Sequence, residues 1–179
     1  MYEPVQEQKI VQRMIGAAKL QPETFNEVEH DTSATRQALA VVALVAVATG
    51  IGSLGAGGPI GFVIGIITGI GLWALWAWIT YFVGTTILKT EETEANWGQL
   101  ARTLGFAQSP GIFKVFGFIP VLGPLVFFIV SIWQLVAMVI AIREALDYTS
   151  TWRAVGVALI GFIPYLVVGS LVYWLVSSI

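Results

Sequence analysis

The side chains that could do chemistry here are few, and their spacing is informative. His30 is the single histidine of 179 residues, and there is no cysteine. The paired-histidine and thiolate spacings that hold a metal ion are therefore missing, as are disulfides. No G-x-S-x-G elbow presents a nucleophile, and no Gly-x-x-x-x-Gly-Lys loop cradles a phosphate. The glycines of 50–58 come without a lysine and read as a turn. No carboxylate lies inside an apolar run, which weakens a proton-coupled or ion-driven transporter, since those carry ionisable groups within the membrane. The expectation is a protein that is not an enzyme, with no catalytic residue, no cofactor and no metal site.

Three groups remain as candidates. Lys114 is the ionisable residue inside an apolar run, after a break at Pro110-Gly111 and before Pro120. Broken helices free backbone amides, and these are tolerated in a membrane only against protein or a wet cavity. Lys114, with amides near Gly111, is thus a candidate contact for an anionic lipid headgroup, against the plainer alternative of a lysine snorkelling to the interface. Arg143, Glu144 and Asp147 close one apolar run. Arg143 and Asp147 are four apart and can pair on a helix face; with Arg102 and Arg153 they form a candidate docking surface, against the alternative of a solvated cap. Gly61, Gly65 and Gly69 are spaced four apart, a small-residue face that lets helices approach in lipid. Contact with another helix of the same chain is preferred there over a homo-oligomer. Trp73, Trp76 and Trp78 on the same run read as packing bulk.

The elements that position these residues are set by composition. Apolar residues make up 56% of the chain and charged ones only 11%, less than half the usual charged share of about a quarter. Residues 1–36 hold four of the nine basic and six of the eleven acidic side chains. From Ala38 to Leu88 there is no charge; polar islands come next at 89–102 and 143–153, and nothing charged lies beyond Arg153. Bilayer spans joined by short polar loops give this pattern. A net charge of -2 without a Lys/Arg tract argues against a nucleic-acid partner.

The expected fold is all-α: a polytopic integral membrane protein of about five transmembrane helices with an N-terminal amphipathic helix. The spans are expected at about 38–54, 60–88, 104–119, 121–142 and 154–176, giving a segment 1–36 followed by a membrane domain 37–179. The third span is the weakest, yet with five crossings every basic residue except Lys114 falls on one side, as the bias of Lys and Arg toward the cytoplasm requires. The N-terminus is then cytoplasmic and the C-terminus outside. No cleavable signal precedes the first span, so the N-terminal segment is expected to be mature sequence. Val11, Met14, Ile15 and Ala18 fall at helical spacing, a helix for the membrane surface or for the protein's own loops. Pro22 starts a second short helix, and His30-Asp31-Thr32-Ser33 offers a side-chain oxygen to cap the first span.

Three stretches carry a resemblance: Asp31-Thr-Ser-Ala-Thr-Arg-Gln-Ala; Leu100-Ala-Arg-Thr-Leu-Gly-Phe-Ala-Gln-Ser-Pro-Gly; and Ile119-Pro-Val-Leu-Gly with Ile132-Trp-Gln-Leu-Val-Ala-Met-Val-Ile-Ala-Ile-Arg-Glu-Ala-Leu-Asp. Together they resemble the prokaryotic branch of the Yip-domain family, relatives of the Ypt/Rab-interacting membrane proteins, over nearly the whole chain. The resemblance implies about five transmembrane helices and a cytoplasmic N-terminus, in a prokaryotic cytoplasmic membrane. Eukaryotic members are linked to Rab GTPases, but their N-terminal polar motifs are not found here and Rab binding does not carry over. The expected function is a non-catalytic scaffold or adaptor that recruits a protein partner through its cytoplasmic face. The alternatives are an accessory subunit of a larger complex and, third, a lipid-handling or small-molecule transport protein.

Overall fold

The computed structural model of the chain describes residues 4–53 and 58–177, and every regular element among them is helical. Helix α1 runs Pro4–Ala18 and α2 Pro22–His30, an N-terminal hairpin whose turn passes through Leu20 at φ 61. Pro22 occupies the first turn of α2, where its missing N–H costs nothing. The hairpin hands over to α3 (Ala34–Gly52) through Asp31, whose Oδ1 accepts from the Ser33 amide at 2.9 Å. The Ser33 amide precedes the helix, and the N-cap Ser33 makes no side-chain cap hydrogen bond, so the cap expected in 30–33 does not form on α3 itself. Helices α4 (Gly58–Phe82), α5 (Trp97–Phe106), α6 (Gly123–Ala145) and α7 (Thr151–Ser177) complete the set. A π-helical turn, Val83–Ile87, prolongs α4, and a ten-residue 3-10 helix, Ser109–Phe118, comes after α5.

Among the described residues, four helices have the length and apolar composition to cross a membrane: Ala34–Gly52, Phe62–Ile87, Gly123–Ala145 and Thr151–Leu171. The segment expected as a third helical span, 104–119, is not a single α-helix. It comprises the end of α5 and the 3-10 helix. Pro110 and Gly111 explain the change, one lacking an amide and the other a weak helix former.

The chain nonetheless passes from one end of the bundle to the other along this segment. The Tyr148 hydroxyl, just beyond α6, donates to the carbonyls of Gly84 and Leu88 at 3.1 and 2.9 Å, so α4 and α6 finish at the same end. The chain between Leu88 and the start of α6 must then traverse the bundle. It does so parallel to α3. Gly105 packs on Ala38, Gly111 on Val45, and a β-carbon added to Gly52 would collide with the Lys114 carbonyl. Ten residues at about 2.0 Å rise cover about 20 Å, against about 15 Å for the same length of α-helix. The tighter winding lets a short stretch reach the far side.

The core sits toward the end that carries the charges. Phe25 and Val28 of α2, Val41 of α3, Leu100 and Leu104 of α5 and Ile142 of α6 are buried together. Outward-facing residues of α4, α6 and α7 remain large and apolar, including Ile67, Phe128, Leu159 and Ile163, the surface expected of helices bathed in acyl chains.

Candidate functional site

Two regions concentrate polar groups: a charged rim at the Tyr148 end, and a cavity between the long helices.

The rim is built on two buried arginines. Arg13 of α1 is 2% exposed. It donates to Glu27 Oε1 at 2.8 Å, to Asp31 Oδ2 at 2.5 Å and to Gln37 Oε1 at 2.7 Å, tying α1 to α2 and α3. Arg102 of α5 is 6% exposed and donates to the carbonyl of Val28 at 2.9 Å and to that of Glu29. These are the last carbonyls of α2, which lack helical partners. Gln99 serves two purposes. Its Oε1 closes a capping box with Asn96 at the start of α5, while its Nε2 donates to Glu29 Oε1 at 2.8 Å.

These contacts determine the electrostatics. Two bonds from Ser33, with the Arg13 guanidinium beside it, lower the Asp31 carboxyl to about 2. Burial, reinforced by repulsion from Asp147, raises the Glu29 carboxyl to about 7, and its Oε2 has no hydrogen-bond partner.

The residues expected to form a docking surface divide. Arg102 is inside the protein rather than on its surface, because its donors go to the α2 carbonyls. Arg143 pairs with Glu144 at 2.6 Å rather than with Asp147. α6 ends at Ala145, and Asp147 at φ 52 has left the helical phase that would align it with Arg143. Asp147 and Arg153 are exposed, and Glu144 is partly so. α1 combines the two readings open to it: Ala17 and Arg13 face the protein, while Val11 and Ile15 face outward.

The cavity has a volume of about 1130 Å³ and lies among α3, α4, α6, α7 and the 3-10 helix. Gly65 and Gly69 line it. A β-carbon on Gly65 would meet nothing within 4 Å, and one on Gly69 only Ala46 at 3.6 Å. These two do not form the tight helix seam expected of them, since the facing helices stand apart across the space. The side-chain environment of Gly61 lies outside the described residues. Lys114 also lines the cavity, with its ammonium 6.0 Å from the centre of the Phe127 ring. The Gly111 amide is not free, for it donates to the Gln108 carbonyl at 2.7 Å. Gln134 Nε2 donates to Gln108 Oε1 at 2.7 Å. Trp73 and Trp76, read from sequence as bulk, are 8% and 6% exposed, line the cavity, and have no partner for their indole N–H groups.

Sequence reasoning did not find Arg13, Glu29, Gln108 or Gln134. Gln134 carried a usable signal, being a polar side chain inside an otherwise apolar span.

A helical bundle with four apolar helices of spanning length and a charged rim at one end defines a multi-pass integral membrane protein. The family model of the Yip1 domain matches residues 19–172, and the chain belongs to this family of membrane proteins. Comparison with curated proteins and with solved structures gives no match.

Proposed function

We propose that the chain is a non-catalytic adaptor of the Yip type, which recruits a protein partner at its charged rim. In this reading the rim faces the cytoplasm and the protein resides in the cytoplasmic membrane of a prokaryote. The five traversals put both polar islands and the N-terminal hairpin on the rim side, the side on which Lys and Arg accumulate.

The observation that carries the reading is the convergence of three distant stretches of chain. The hairpin and the 89–102 region are joined by Arg102 to Val28 and Gln99 to Glu29, and Tyr148 ties the 143–153 loop to Gly84 and Leu88, where the chain leaves α4 for the 89–102 region. Buried arginines hold this assembly in place, which pre-organises the exposed residues for recognition. Glu91, Glu92, Glu94, Asp147 and Arg153 are exposed there.

Cross-linking in native membranes tests the reading. A specific protein captured by wild type should be lost with Arg153→Glu and kept with Val121→Asp at the far end. An unchanged set of captured proteins across rim variants refutes it.

A further inference from the structure

The cavity has features that the adaptor role does not use. Along α3 and its C-cap it extends from Val42 to Ser53, twelve residues or about 17 Å of helix. That is about half of a hydrocarbon core of about 30 Å, the depth of a single leaflet. Its volume of about 1130 Å³ exceeds the roughly 300–1,000 Å³ of ordinary small-molecule pockets.

The polar groups within it are not balanced. Lys114 is the one basic residue of the lining, no carboxylate lines it, and Lys114 takes part in no ion pair among the described residues. Gln134 already commits its amide to Gln108. The indole nitrogens of Trp73 and Trp76 are enclosed by the surrounding side chains, so these residues offer the cavity their ring carbons. The cation calls for negative charge at the end where α3 finishes. The remaining walls, including Leu72, Leu135, Met138 and Phe162, call for hydrocarbon.

We propose that this cavity is a binding site for an anionic acyl lipid. Its charged head meets Lys114, and its chains lie along the apolar walls, the rings of Trp73 and Trp76 among them. The site lies between the long helices and away from the rim, so this inference and the adaptor reading can fail independently.

Native mass spectrometry of the full chain, delipidated and then titrated with defined lipids, tests it. Phosphatidylglycerol should be retained about tenfold more than phosphatidylcholine of the same chains, the scale of one charge-assisted contact. Lys114→Gln should abolish that preference. Gly65→Leu, whose side chain enters open space, should exclude both. Palmitate competing equally with phosphatidylglycerol would make a free fatty acid the source of the same anionic acyl chemistry. Equal retention of the two phospholipids by wild type overturns the proposal. So does unchanged phosphatidylglycerol binding in Lys114→Gln, which decides the matter should Gly65→Leu not fold. A polypeptide bound to wild type and released by Gly65→Leu would replace the lipid with a partner helix.

Discussion

The indole N–H of Trp133, midway along α6, donates to the carbonyl of Ala18 at 2.8 Å, joining the N-terminal hairpin to a spanning helix 115 residues away. Ala18 ends α1, where carbonyls lack helical partners, and the Trp133 ring also stacks on Phe113 with centroids 5.6 Å apart. The hairpin is thereby part of the bundle. Trp133→Phe keeps the stacking and deletes the donor. It should cost about 1 kcal/mol and speed amide exchange around Ala18–Gln21. Exchange rates equal to wild type would show that the bond does not hold the hairpin.

Arg102 supplies the second tie. Its donors reach the Val28 and Glu29 carbonyls and lie 3.5 Å from the Thr35 hydroxyl, a fork that a lysine ammonium cannot reproduce. Arg102→Ala should destabilise the protein by about 2–3 kcal/mol in denaturant titrations in detergent, with Arg102→Lys recovering only part. Full recovery by lysine would mean that charge alone matters there.

The rim should also set the pH range of stability. Glu29 is raised from 4.5 to about 7, so the folded state holds its proton more firmly than the unfolded chain. That contribution is complete below 4.5 and is lost as pH rises through about 7. Asp31 is lowered from 3.8 to about 2; its contribution is present above 3.8 and is lost as pH falls toward 2. The thermal unfolding temperature should therefore peak at about pH 4–5 and fall between about 5 and 7. Glu29→Gln should flatten the alkaline limb and Asp31→Asn the acid limb. An alkaline limb unchanged in Glu29→Gln would place its origin elsewhere.

The absence of native cysteine makes single-cysteine labelling clean. Thr149→Cys and Val121→Cys lie at opposite ends of α6, and Val121 is 92% exposed. A membrane-impermeant maleimide added to intact cells should label Val121→Cys and spare Thr149→Cys until the membrane is opened. Labelling of both from the same side would remove a traversal.

Much of this architecture was legible in the sequence because membrane spans are written in charge. The uncharged run from Ala38 to Leu88 and the return of Arg143 and Arg153 marked where the chain turns back. What periodicity could not give was the winding of 109–118, where Pro110 and Gly111 signal a break but not the type of helix beyond it. Nor could it show that Arg13 and Arg102 point inward. Both are bound to groups far away in sequence, and a charge near a helix end reads as solvated unless its partner is known. The glycine face was found by spacing, but spacing cannot distinguish a seam from a gap. Gly65 and Gly69 border a gap, where a β-carbon added to Gly65 would meet nothing within 4 Å.

The 3-10 passage along α3 has a consequence for how the protein is made. Its glycines, Gly111 and Gly117, press on Val45 and Gly52 of α3 and on Gln134 and Phe127 of α6. So short and tightly wound a stretch has its packing partners only when α3 and α6 flank it, and it is expected to enter the bilayer together with α6 rather than ahead of it.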